Sequence, residues 1–145
     1  MTTTLITGGT VVNATGASAA DVLVDGETIA AVLAPGSQLL GQDLAASVDR
    51  VVDASGKYVI PGGIDAHTHM QMPFGGTEAS DTFETGTRAA AWGGTTTVVD
   101  FAVQTTGTRV QDGLATWHEK AAGNCAIDYG FHQICLLYTS DAADE

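Results

Sequence analysis

The chain has 145 residues, 44% hydrophobic and 15% charged, enough for an ordinary packed core. Seventeen acids against five bases give a net charge of -12, which makes nucleic acid and anionic membrane surfaces poor partners. No apolar run reaches the roughly 18 residues of a membrane span, and the start, "MTTTLITGGTVV", has no basic segment or small-residue cleavage site. The expectation is a cytoplasmic protein. Cys125 and Cys135 form neither a metal motif nor a disulfide framework.

Residues 1–58 read as short strands. "TLITGGTVV" is apolar around a Gly-Gly turn, and "DVLVDGETIAAVL" places two β-rich runs around Asp25-Gly26, a hairpin signal. "SQLLGQDLAASVD" is irregular and reads as a loop or short helix. "RVVDASGKYVI" gives two more strand-like runs around a Ser-Gly turn. This is a small all-β unit with no chemically suggestive residue.

The pattern changes after Pro61. "GIDAHTHM" reads as a strand and "QMPFGGTEAS" as a loop. Asp81 with Glu84 resembles a capping box, and residues 82–92 read as a helix stopped by Gly93-Gly94. "TTTVVDFAV" is a strand dense in β-branched residues. Val110, Leu114, Trp117 and Ala121 recur at helical spacing, and "CAIDYGFH" is a further strand. Strand, helix, strand, helix, strand is the grammar of a parallel α/β fold.

Two of the four histidines stand one residue apart in "GGIDAHTHM". Side chains alternate along a strand, so Asp65, His67 and His69 should share one face. Imidazole is a common ligand of Zn²⁺, and Asp65 would be placed to orient a ring nitrogen. Taken alone, the pair admits two readings, metal ligands or ordinary strand-end histidines, because a catalytic metal needs at least a third protein ligand. His118, in the second helix, and His132, ending the third strand, are weaker candidates for that role.

"VIPGGIDAHTHMQMPFGGTEASDTFETGTRAAAWGGTTTVVDF" resembles the dihydropyrimidinase/D-hydantoinase family of the amidohydrolase superfamily, over about residues 5–134. Asp-x-His-x-His marks the superfamily; "MPFGGT" and "GTRAAAWGGTTT" narrow it to cyclic-amide hydrolases. The resemblance implies an α/β fold: an N-terminal β-sandwich portion, then a (β/α)₈ barrel of TIM type. It implies two Zn²⁺ ions per subunit, bridged by a carboxylated lysine and a hydroxide, with His67 and His69 on the more buried ion. That hydroxide would attack the ring amide of a dihydropyrimidine or hydantoin, an aspartate would shuttle the proton, and an N-carbamoyl amino acid would leave. The small cyclic amide is the implied partner, in a homotetramer. Residues 70–77 resemble a substrate-gating loop, with Met72 and Phe74 as apolar wall contacts or as plain loop packing. Allantoinase is an alternative within the class. Dihydroorotase fits less well, because it typically carries an arginine just after His-x-His, where this chain has Met70-Gln71-Met72. A non-catalytic dihydropyrimidinase-like scaffold is the alternative from another class, opposed by the presence of both His67 and His69.

The chain also departs from the family. A (β/α)₈ barrel takes about 250 residues, and only residues 59–134 are available for one. The two lysines, Lys57 and Lys120, fall before the first barrel strand and in a helix, so neither suits the bridging role. The later histidines and the catalytic aspartate are missing. The last segment, "CLLYTSDAADE" (135–145), breaks the resemblance and back-translates into a sequencing-library adapter. It is expected to be a non-native tail. The expectation is therefore an N-terminal fragment that carries two metal ligands, no catalytic residue and an open sheet edge, and that is unstable and inactive alone.

Overall fold

The computed structural model describes residues 2–39 and 41–135; the expected non-native tail, apart from Cys135, lies outside the described residues. The fold is mixed α/β, with strands dominating. The chain divides into two compact units, Met1–Pro61 and Gly62 onward.

The first unit contains β1 (Thr3–Thr7), β2 (Thr10–Asn13), β3 (Gly16–Ala19), β4 (Asp21–Asp25), β5 (Thr28–Leu33), β6 (Gln38–Leu39), β7 (Gln42–Asp43), a 3₁₀ turn (Leu44–Ser47), β8 (Arg50–Asp53) and β9 (Tyr58–Val59). The β4/β5 hairpin forms as its Asp25-Gly26 signal predicts. The other two turn signals do not make hairpins. β1 and β8 run parallel in a sheet of order β5-β4-β1-β8, whereas β2 and β9 run parallel in a second sheet of order β3-β2-β9. Two segments thus travel side by side and switch sheets together, at Gly8-Gly9 and at residues 54–57. Backbone bonds from Ala54 to Thr7 (2.8 Å) and from Thr10 to Lys57 (2.9 Å) stitch the switch. Local turn chemistry could not reveal this, because the partner of each run lies 46 to 48 residues away. The segment at 37–47 combines the short β6/β7 ladder with the 3₁₀ turn.

One acid is buried here. Asp21 accepts the Thr7 hydroxyl (2.7 Å) and the Gly8 amide (3.2 Å) on one oxygen and the Gly36 amide (3.1 Å) on the other. Burial opposes its ionisation. The bonds from Thr7, Gly36 and Gly8 outweigh that cost and hold the carboxyl below its ordinary range.

The second unit contains β10 (Gly63–Thr68), β11 (Pro73–Phe74), β12 (Thr77–Glu78), α1 (Phe83–Trp92), β13 (Thr95–Val103), α2 (Val110–Ala121) and β14 (Asp128–Ile134). β10, β13 and β14 form a parallel sheet with β13 central. The core gathers Met70, Phe83, Val98, Ala102, Trp117 and Ala121 between the sheet and its helices. Helix α1 starts one residue later than its acidic residues suggest. Thr82 caps it, accepting the Thr85 amide (3.1 Å) while the Thr85 hydroxyl accepts the Thr82 amide (3.0 Å). Asp81 instead accepts the Thr85 hydroxyl at 3.3 Å. Gly113 lets α2 lie close on β13: a β-carbon there would meet the Val103 carbonyl oxygen at 2.9 Å. Among the described residues no helix is long and apolar enough to cross a membrane.

Candidate metal centre

Strand β13 sets the site by its alternation. Val98, Asp100 and Ala102 are buried toward the helices; Thr97, Val99 and Phe101 face the other way and are half-buried. Phe101 is the floor on which the histidines collect. Its ring centroid lies 4.5 Å from that of His67, 5.2 Å from His69 and 4.9 Å from His132. His67 and His69 meet edge to face, and their Nε2 atoms are 3.2 Å apart. At Zn–N bonds of about 2.0–2.1 Å and a tetrahedral angle, two ligand nitrogens stand about 3.3–3.4 Å apart. The two imidazoles therefore present a spacing that one ion would accept. Among the described residues no set of three or more histidine, cysteine or carboxylate groups converges around the pair.

The structure distributes the other candidates differently. The carboxylate of Asp65 accepts the backbone amide of His67 at 3.2 Å, so its bond to the pair runs through the main chain rather than to a ring nitrogen. The β10–β13 register shifts between Asp65 and Thr68, which interrupts the regular alternation that would have put all three side chains in one row. His132 joins the Phe101 cluster, with its Nε2 3.2 Å from the Ala66 carbonyl oxygen. His118 does not. Its ring packs at 4.9 Å on Phe131, a residue that packs against the helix-side core.

The segment after the histidines is a hairpin, not an open loop. β11 and β12 pair antiparallel around Gly75-Gly76, both with positive φ (58° and 82°), the turn geometry that glycine permits. Phe74 sits at its tip, 77% exposed, while Met72 is half-buried and its carbonyl accepts the Ala79 amide (2.9 Å). Gln71 carries the hairpin's root in a left-handed conformation (φ 50°). Its amide donates to the Asp81 carbonyl (2.9 Å), its carbonyl accepts Lys120 Nζ (2.8 Å), and its side-chain oxygen accepts the Phe83 amide (3.4 Å). Lys120 also lies over the Trp117 ring, so it serves as a brace for this root.

Behind the histidines is a residue that motif reading passes over. Asp100 is fully buried and receives four donors. Oδ2 takes the Thr68 hydroxyl (2.9 Å) and the Met70 amide (2.8 Å); Oδ1 takes the Phe101 amide (2.8 Å) and Trp117 Nε1 (3.0 Å). Four donors fill the lone-pair sites of a carboxylate. The signal was present as a lone acid inside the β-branched run "TVVDFAV", in phase with Val98 and Ala102. Nearby, burial and then the charge of Asp100 raise the Cys125 thiol above its ordinary range, which makes it a poor nucleophile.

The parallel sheet with its helices, β10-β13-β14, has counterparts among known proteins. The family described as "Amidohydrolase family" matches residues 58–134, and the chain belongs to that family. Within it, the chain is 60% identical to a D-hydantoinase of Streptomyces coelicolor, over 90% of this chain and 27% of the relative. It is 47% identical to a D-hydantoinase of Geobacillus stearothermophilus, over 99% of this chain and 29% of the relative. The crystal structure of a dihydropyrimidinase from Brevibacillus agri superposes with a TM-score of 0.84 at 46% identity, covering 98% of this chain and 29% of that one. This is the dihydropyrimidinase/D-hydantoinase group to which the motifs pointed. The chain spans under a third of the length of these relatives.

Proposed function

We propose that this chain is part of a metal-dependent cyclic-amide hydrolase that opens dihydropyrimidine or hydantoin rings to N-carbamoyl amino acids. The parallel β10-β13-β14 sheet with its helices would be the start of a (β/α)₈ barrel, and β1 to β9 part of an accessory β-sandwich. The observation that carries the reading is the 3.2 Å separation of His67 Nε2 and His69 Nε2 at the end of β10. Zinc held by these two nitrogens would supply a Lewis acid able to polarise an amide carbonyl and activate water at neutral pH. The chain's own residues then bind and orient. Phe101 backs the imidazoles and shields one flank from water, and Asp65 braces the His67 main chain. Met72 and Phe74, on the hairpin, would offer apolar contacts to a ring. The remaining ligands, including a carboxylated lysine for a second ion, and a proton-carrying aspartate are assigned to the rest of a longer polypeptide, acting as a homotetramer. The 145-residue chain by itself is proposed to be inactive.

The test uses the gene product at its full natural length. Bound zinc and ring opening of a dihydropyrimidine are measured for the unaltered protein and for His67→Ala and His69→Ala. Each substitution is expected to lower metal content and to cut ring opening by at least about a hundredfold. Unchanged zinc content in both variants would remove the reading.

A further inference from the structure

We infer that Asp100 is a positioning residue for His69. It grips the chain on both sides of that histidine from the helix face of the sheet. The inference rests on the reading of His67 and His69 as metal ligands.

The need for such a grip follows from the local backbone. The ladder between β10 and β13 shifts after Asp65 and ends at Thr68, so His69 lies beyond regular strand pairing. The next residue but one, Gln71, is left-handed and begins the hairpin. A ligand on such a stretch has no sheet to orient it. Asp100 Oδ2 replaces the sheet: it holds the Thr68 side chain at 2.9 Å and the Met70 main chain at 2.8 Å, the two neighbours of His69. The Met70 side chain is itself buried against α1, where a β-carbon on Gly86 would approach its Cε at 3.0 Å. The carboxylate cannot turn away, because Oδ1 is held by the Phe101 amide and by Trp117 Nε1. One buried group therefore fixes the backbone of His69 and the residue whose ring backs it. Such outer partners keep a ligand in its productive orientation, and losing one typically weakens metal affinity about 10–100-fold.

The two oxygens allow the positioning role to be separated from plain stability. In the full-length gene product, the affinity for Co²⁺ is measured by chelator competition and its visible bands, and folding of the metal-free protein by urea denaturation. Thr68→Val, which deletes a bond on Oδ2, is expected to weaken Co²⁺ binding about tenfold and alter the bands, and Thr68→Ser to restore both. Asp100→Asn leaves an amide that cannot accept all four donors and should weaken binding by about 10–100-fold. Trp117→Phe deletes one bond on Oδ1 while the Phe101 amide still anchors that oxygen, so it should lower the urea midpoint and leave affinity within about twofold. If Asp100→Asn does not fold, Thr68→Val decides. Unchanged Co²⁺ affinity in Thr68→Val, or losses in Thr68→Val and Trp117→Phe that simply track stability, would overturn the inference. If His67→Ala and His69→Ala leave Co²⁺ affinity intact, the metal reading itself fails and the inference falls with it. If only Thr68→Val is silent, the metal reading stands alone.

Discussion

Strand β13 has two faces, and they are built to different rules. Toward the helices, Val98, Asp100 and Ala102 are essentially inaccessible, and the one acid among them has four hydrogen-bond donors. On the other side, Phe101 is half-buried and is ringed by exposed imidazoles whose nitrogens point at one another. Burying a polar group without partners is costly, so the acid on the closed face needs its donors. The open face has no such duty. Its histidines are exposed and do little for the core. The packed core and the proposed metal site thus lie on opposite faces of one strand, with Asp100 reaching from the first toward the second.

The sharpest way to break that comparison is Asp100→Ala in the full-length gene product. It would leave three buried N–H donors and a hydroxyl without their acceptor, and about 4 kcal/mol of stability should go, read as a lower urea midpoint. A loss near zero would mean that the closed face is not closed.

The first unit offers the same logic with a pH handle. Asp21 has a lowered folded-state pKa, so its contribution is fully present above the unfolded value near 3.8 and is lost as pH falls through the lower folded value. Asp21→Asn should cost about 1–3 kcal/mol at neutral pH and flatten the acid limb of the stability profile. An unchanged acid limb would show that the three bonds do not favour the ionised form.

A smaller effect is expected at Thr87, fully buried on α1, whose hydroxyl donates to the Phe83 carbonyl and accepts the Ala126 amide. Thr87→Val keeps the shape and strands that amide, for a cost of about 1–2 kcal/mol in urea denaturation. The smallest change should come from the open face. His67→Ala and His69→Ala, in metal-free protein, should shift stability by no more than about 0.5 kcal/mol, since both side chains are exposed. A large loss there would sharpen the comparison in the opposite sense, making the histidines structural.

Much of this was legible from pattern. "GIDAHTHM" names the paired imidazoles by their spacing, and they meet although His69 lies one residue past the end of β10. "TTTVVDFAV" and the spacing of Trp117 and Ala121 give β13 and α2 because one face of each is apolar. What stayed hidden is set by distant partners. The sheet switch at Gly8-Gly9 depends on residues 54–57, and turn residues carry no information about that pairing. The cap of α1 falls to Thr82 rather than Asp81; both residue types cap well, and the reciprocal bonds with Thr85 go to Thr82. The place of Asp65 depends on a register shift that only the β13 backbone reveals. His132 joins His67 and His69 because β14 pairs with β13 and sets it opposite Phe101, a tertiary fact that local spacing does not contain.

The chain has two tryptophans, and they stand in opposite environments: Trp92 is 92% exposed, whereas Trp117 is 3% exposed and bonded to Asp100. The intrinsic fluorescence therefore carries two separable signals. Iodide should quench Trp92 and leave Trp117 bright, and Trp92→Phe would leave an emitter seated on the carboxylate behind His69. Its spectrum would then follow the closed face of β13 directly, without any label.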